Sequence, residues 1–263
     1  MERAIEKIPQ NSGIYAGFDP TANSLHIGNL VTLCGLFTAA HHYSIPSIAL
    51  MGSGTVSIGG DPSFRTSERS KLSADEIAKN SNAISKSIQR IQKHHQNMSN
   101  SMKAQSNNFD KSVQSKQHFR ILDNSSWLSK ISILDFMCTV GHSFRIKNML
   151  ERDCIQTRIN QHANTATYGE FSYQIIQAYD FLALSQKFNI NMQLGGIDQW
   201  GNIYSGMELI KRSTGQESVA LCTPLLVDSC GKKIGKSENN QIWLDSEKTR
   251  PFDFYQVMHF LIM

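Results

Sequence analysis

A chain of 263 residues with 40% hydrophobic content can bury one large α/β core or one and a half smaller ones. Its formal charge of +4 is mildly basic, which is compatible with an RNA partner but does not demonstrate one. No run of about 18 apolar residues exists to span a bilayer. The first residues (MERAIEKIPQ) lack the apolar centre of a signal peptide and mix acids with bases, unlike an Arg-rich transit peptide. The cysteines at 34, 138, 154, 222 and 230 show no C-x-x-C spacing. That argues against a zinc knuckle and a secreted disulfide framework, so they read as reduced thiols.

In chain order, residues 14–18 (IYAGF) read as a short buried strand, Asp19-Pro20-Thr21 as a turn, and Gly28 onward as a helix with Leu30, Leu33 and Phe37 on one face. A strand, a turn and a helix N-terminus together make a phosphate site, because the unsatisfied N–H groups and the helix dipole favour an anion. Gly28 would let a base or ribose approach the backbone. His26 and Asn29 stand where they could donate to such a ligand, although His26 taken alone reads more readily as a turn histidine. The next buried strand, SIALM (47–51), follows about 30 residues after the first, the length of one βαβ unit. Such a unit implies a parallel sheet with helices on its faces and ligands beyond the carboxyl ends of its strands. GSGTVSIGGDPSFRTSER follows as a Gly- and Ser-rich loop that touches something; its Asp61 is a turn residue or a site residue.

Ser73 to Glu76 form a capping box that opens a helix with Ile77, Ile84, Ile88 and Ile91 on one stripe. Residues 93–117 turn Gln-, Asn-, Ser- and Lys-rich, as in a weakly packed helix or an exposed insertion, and the adjacent His94 and His95 are expected in solvent. After FRILDNSSWL comes the apolar ILDFMCTVGHSFRIKNML, whose Ile133, Phe136, Met137 and Phe144 exceed what a solvated insertion carries and point to a partner surface. TYGEFSYQIIQAYDFLAL (167–184) reads as a mostly buried helix. Tyr173, Gln177 and Asp180 share one stripe of it at steps of four and three, and require partners, in an internal network or in a ligand. NINMQLGGIDQWGNI (189–203) is a strand, a Gly-rich turn and a helix, a second site of the first kind. Gly231 to Ser237 (GKKIGKS) is not a phosphate-binding P-loop, since Cys230 stands where that motif needs its first glycine. It reads as a loop carrying Lys233 and Lys236.

GFDPTANSLHIGN resembles the HIGH signature of class I aminoacyl-tRNA synthetases in the form seen in tyrosyl-tRNA synthetases, with Asn29 in place of the second histidine. An amide N–H can replace the imidazole donor. Lys233-Ile-Gly-Lys236-Ser237 resembles the KMSKS signature, and the two signatures in this order are far more specific than either alone. The resemblance runs over roughly residues 13–258 and includes GDPSFRTSER, YxxxQxxD and QxGGxDQWGNI.

It implies an α/β fold, a Rossmann-like parallel sheet that binds nucleotide, with a helical connecting insertion. Tyr15 and Asp180 would hold the phenolic hydroxyl of tyrosine. Asp61, Tyr173 and Gln177 would meet its α-ammonium group, Gln193 would lie behind the pocket and Gln199 would face the carbonyl. ATP would meet Asp19, Thr21, His26, Gly28, Asn29, Gly196, Asp198, Lys233, Lys236 and Ser237. Arg65 and Arg69 would join the two lysines near the pyrophosphate. The implied reaction is activation of L-tyrosine by ATP, accompanied by Mg2+ without a dedicated protein metal site, and then transfer to tRNA(Tyr). A homodimer in the mitochondrial matrix is expected, with the cytoplasm as alternative and no membrane association. Residues 1–250 would form the catalytic domain, with an insertion at about 80–165 carrying the dimer interface. Residues 251–263 would begin a helical anticodon-binding domain that is otherwise missing, so that transfer to tRNA is expected to be weakened. The rival readings are a degenerate nucleotide- or RNA-binding relative and a tryptophanyl-type synthetase.

Overall fold

The computed structural model describes residues 8–61, 71–105, 118–152, 155–156, 167–224, 226 and 241–262. Strand β1 (Gly13–Phe18) is followed by helix α1 (Ile27–His42), strand β2 (Ser47–Met51), the short helix α2 (Ser53–Ser57) and the long helix α3 (Ala74–Gln105). Strand β3 (Phe119–Asp123) leads into short helices α4 (Ser125–Leu128), α5 (Ile133–Thr139) and α6 (Ile146–Leu150). Helix α7 (Tyr168–Phe188), strand β4 (Ile190–Gly196), a 3-10 turn (Ile197–Gln199), helix α8 (Trp200–Thr214), strand β5 (Val219–Thr223) and helix α9 (Pro251–Ile262) complete the order.

The strands form one parallel sheet in the order β3-β2-β1-β4-β5, with Tyr15 opposite Ile48 on one side and Gln193 on the other. Helices cover both faces, which explains why β1 and β2 read as apolar runs rather than alternating patterns. On one face Ile14, Ala16 and Phe18 pack against Leu33, Leu36 and Phe37 of α1 and Ile84 and Ile88 of α3. On the other, Tyr15, Ile48 and Leu50 pack against Ala178, Phe181 and Leu184 of α7 and Leu209 and Ile210 of α8. The α/β expectation is met.

Local chemistry sets the helix ends. The Ser73–Glu76 capping box is formed in both directions, at 2.8 and 3.2 Å. Thr167 and Glu170 do the same for α7, which ends at left-handed Asn189 with φ 54°. Gly195 and Gly196 belong to the end of β4 rather than to a turn.

Two expectations change. His94 is exposed, but His95 packs against Phe37 and brings its Nδ1 to 2.9 Å from Nδ1 of His41. The cause is register: Ile84, Ile88, Ile91 and His95 continue one stripe at steps of four, three and four. Burial, and then the charge of His42, pushes the His95 imidazole below its usual pKa. Between β3 and α7, Ile133 and Met137 are exposed, whereas Phe136 and Phe144 pack inward on the second cluster, Phe136 edge-on to Tyr179. No helix among the described residues is long and apolar enough to cross a membrane.

Candidate active site at the switch point of the sheet

From β1 the chain steps outward through β2 to β3 and then returns to the other side of β1 with β4. The connections after β1 and β4 therefore diverge and leave a crevice beyond the carboxyl ends of the strands. Gly17, near the end of β1, is exposed although its strand is central, and a Cβ there would meet none of the described residues within 4 Å. Below it on the same face lies Tyr15.

Tyr15 is 1% exposed, and its hydroxyl is buried with no hydrogen-bond partner among the described residues. Its ring packs on Phe181 at 5.2 Å. Burial, and then the negative charge of Asp180, holds the phenol well above its ordinary pKa. Asp180 is itself buried. Its carboxylate accepts from Asn124 Nδ2 at 2.9 Å and from Trp127 Nε1 at 2.7 Å. The Asn124 amide has one possible orientation, because its Oδ1 accepts from the backbone N–H of Gly54 at 2.8 Å. The sequence alone does not single out Asn124 and Trp127. The available signal was their place, immediately beyond the carboxyl end of a strand of a parallel sheet.

Burial raises the Asp180 pKa to about 7, against the lowering effect of its two donors. Between the ordinary carboxylate range and that value the folded chain holds a proton that the unfolded chain has released. This group's contribution to stability is therefore largest in acid and falls as pH rises toward 7, by at most about 1.4 kcal/mol per pH unit. The stability of the wild type minus that of Asp180→Asn is expected to decrease between pH 5 and pH 7 in urea melts. A difference that increases with pH would show that folding favours the ionised carboxylate.

A second cluster lies toward the crevice mouth. Asp19, just past β1, accepts from Thr55 Oγ1 at 3.1 Å and from the Tyr173 hydroxyl at 3.2 Å. A Cβ on Gly52 would fall 2.0 Å from Asp19 Oδ1, so glycine is required there. Burial and the charges of Asp19 and Asp61 keep Tyr173 well above its ordinary pKa. Asp61 accepts from Gln199 Nε2 at 2.6 Å, and Gln199 Oε1 accepts from Asn202 Nδ2 at 3.2 Å. Gln177 Oε1 is buried without a hydrogen-bond partner among the described residues, and Gln193 is buried opposite Tyr15. Tyr173, Gln177 and Asp180 thus share a stripe, but Tyr173 and Asp180 serve different partners.

The N-terminus of α1 is closed by its own residues. His26 Nδ1 accepts from Gly28 N at 3.1 Å, and Asn29 Oδ1 accepts from His26 N at 3.0 Å. This fixes the histidine as the Nε2–H tautomer and assigns the Asn29 oxygen to the His26 N–H. A Cβ on Gly28 would stand 3.0 Å from the His26 ring, so the glycine leaves room for that ring. Thr21 N donates to Asp19 O at 2.8 Å. On the opposite lip, Gly196 leaves room for Asp198, whose Oδ1 would lie 2.2 Å from a Cβ there. Residues 242–244 are joined to this end of the site: Ile27 N donates to Ile242 O, Leu244 N donates to Leu25 O, and Trp243 stands edge-on to His26. Arg65, Arg69, Lys233, Lys236 and Ser237 lie outside the described residues. Among the described residues no group of three or more His, Cys, Asp or Glu side chains is placed to hold a metal ion.

The arrangement offers a buried hydroxyl and carboxylate at the bottom, acceptors near the mouth, and a helix N-terminus beside them. It suits a ligand with a hydroxyl at one end and an amine at the other, next to a phosphate. The family model described as tRNA synthetases class I (W and Y) matches residues 8–259. The human mitochondrial tyrosine–tRNA ligase is 38% identical over 259 residues, covering 97% of this chain and 50% of that protein. The tyrosine–tRNA ligase of Mycoplasmopsis synoviae is 40% identical over 260 residues, covering 98% of this chain and 56% of that protein. This chain therefore spans about half the length of the curated relatives it matches. The crystal structure of a C-terminally truncated mitochondrial tyrosyl-tRNA synthetase from Coccidioides posadasii superposes with a TM-score of 0.74 at 27% identity, over 98% of this chain and 69% of that one. A tryptophanyl-tRNA synthetase from Campylobacter jejuni, at 13% identity and TM-score 0.59, shares the fold over 90% of this chain and 64% of its own.

Proposed function

The chain belongs to the class I tRNA synthetases of the tryptophan and tyrosine group, and from that premise we propose that it activates L-tyrosine with ATP and passes it to tRNA(Tyr). The observation that carries the choice of amino acid is the buried Tyr15 hydroxyl, without a partner among the described residues, beside a carboxylate held by two donors. A phenol completes this arrangement: it accepts from Tyr15 and donates to Asp180. An indole has no oxygen to accept the first bond. The identity to curated tyrosine–tRNA ligases supports the same choice over the degenerate and tryptophanyl readings.

Tyrosine would lie with its ring over Gly17 and Gln193 and its α-ammonium group between Asp61, Tyr173 and the vacant acceptor of Gln177. Gln199 would then meet the carboxylate. ATP, bound with Mg2+ as its usual companion, would lie along the α1 N-terminus against Asp19, Thr21, Gly28, His26 and Asn29, with its ribose at Gly196 and Asp198. The carboxylate attacks the α-phosphorus in line, giving tyrosyl-adenylate and pyrophosphate. No covalent enzyme intermediate and no general base are needed, so catalysis is positioning and charge stabilisation. Arg65, Arg69, Lys233, Lys236 and Ser237 would neutralise the departing pyrophosphate. In the second step a ribose hydroxyl of the terminal adenosine of the tRNA takes the tyrosyl group from the adenylate, and AMP leaves.

Residues 1–250 would form the catalytic domain, with the insertion near 80–165, and α9 would open a helical anticodon-binding region. The insertion exposes Ile133 by 73%, Leu134 by 74% and Met137 by 41%, near a 69% exposed Tyr168, an apolar surface suited to a second copy. The mitochondrial relatives favour the matrix over the cytoplasm as its location.

The test is exchange of labelled pyrophosphate into ATP. Exchange is expected with tyrosine and not with tryptophan. Tryptophan-dependent exchange would favour the other branch, and no exchange with either amino acid would leave a binding protein. Sedimentation should give twice the chain mass, and Met137→Asp should shift it to the monomer.

A further inference from the structure

Arg152, which follows α6 in the connecting insertion, reaches across to the first turn of α8. Its Nη1 donates to Asn202 Oδ1 at 2.8 Å, and its Nη2 donates to Gly201 O at 2.6 Å and to Ser205 Oγ. Asn202, 8% exposed, donates from Nδ2 to Gln199 Oε1 at 3.2 Å, and Gln199 donates from Nε2 to Asp61 Oδ2 at 2.6 Å. Every bond in this series runs in one direction. A guanidinium can only donate, so the oxygen of Asn202 must face it and the NH2 of Asn202 must face Gln199. That places the oxygen of Gln199 toward Asn202 and its NH2 toward Asp61. The carboxylate at the far end can only accept, so the two ends impose the same order, and a chain of aligned bonds strengthens each member.

We infer that Arg152 is a positioning residue for tyrosine activation: acting through Asn202, it holds the Gln199 amide with its NH2 group toward Asp61 and the substrate carboxylate. This rests on the tyrosine-activating reading above. With the amide reversed, Gln199 would present its oxygen to two carboxylates, that of Asp61 and that of the substrate. The insertion thereby takes part in the site through a residue that touches no substrate atom.

The discriminating variant is Asn202→Asp. It keeps the partner of Arg152 and turns that contact into an ion pair, but an aspartate has no N–H to give Gln199. The Gln199 NH2 is drawn toward the introduced carboxylate, and its oxygen turns toward Asp61. The expected result in tyrosine-dependent pyrophosphate exchange is a rise of about tenfold in KM for tyrosine, the scale of one hydrogen bond lost and one opposed. KM for ATP and the melting temperature should hold. Arg152→Met should show the same split, with partial recovery in Arg152→Lys, which restores a donor but not the fork. Arg152→Met combined with Asn202→Asp should cost no more than either alone. A purely structural role for Arg152 would leave Asn202→Asp at wild-type kinetics, and that result, or unfolding of Asn202→Asp, would overturn the inference. Absence of exchange in the wild type would overturn the functional reading and this inference with it. Normal wild-type exchange with unaltered variants removes the relay alone.

Discussion

Replacing Asp180 with asparagine is expected to lower kcat/KM for tyrosine in pyrophosphate exchange by about 10- to 100-fold, with the value for phenylalanine little changed. The two groups that face this side chain, Asn124 Nδ2 and Trp127 Nε1, are both donors. An indole nitrogen cannot accept, and Asn124 cannot turn because Gly54 N holds its oxygen. The new NH2 group must therefore oppose a donor or leave one unsatisfied, a cost carried with or without substrate, whereas the buried substrate hydroxyl left without its acceptor costs on the order of 1–3 kcal/mol. Each 1.4 kcal/mol is roughly a factor of ten. Removing the carboxylate also relieves the cost of burying its charge, but that relief favours the folded chain and restores nothing to the substrate. Tyr15→Phe removes one donor without creating a mismatch, so its effect should be smaller and in the same direction. If both variants keep the wild-type preference for tyrosine over phenylalanine, the phenol does not bind here.

Lys236→Ala is expected to slow adenylate formation by about 10² to 10³ at saturating ATP and tyrosine, with tyrosine affinity unchanged, the range typical of losing one preorganised group that meets developing charge. Breaking the bond to pyrophosphate places additional charge on the leaving group, and a lysine that meets this charge acts more strongly in the transition state than in the bound substrates. The described residues on either side of this segment belong to the site: Thr223 is paired with Gly196, and Ile242 accepts from Ile27. Single-turnover formation of tyrosyl-adenylate checks the rate, and equilibrium titration with tyrosine checks the affinity. A normal rate in this variant would remove the KIGKS segment from the mechanism.

Much of the site was legible in the sequence because it is local. The βαβ spacing from Tyr15 to Met51, the capping boxes at Ser73 and Thr167, and the stripe of Tyr173, Gln177 and Asp180 follow from periods and caps that operate within a few residues. Those rules place side chains on a face and say nothing about what that face meets. His95 left the solvent because the isoleucine stripe of α3 carries it onto Phe37. Phe136 and Phe144 turned inward for a partner, Tyr179 in the first case, that lies on another helix. Asn124 and Trp127 reach Asp180 across 56 and 53 residues of chain, and Arg152 reaches Asn202 across 50. Sequence by itself determined the elements, their order and the residue types at the strand ends. Only the sheet order, with β4 returning beside β1, decided which donor faces which acceptor, because a hydrogen bond depends on distance and direction in space and not on separation along the chain.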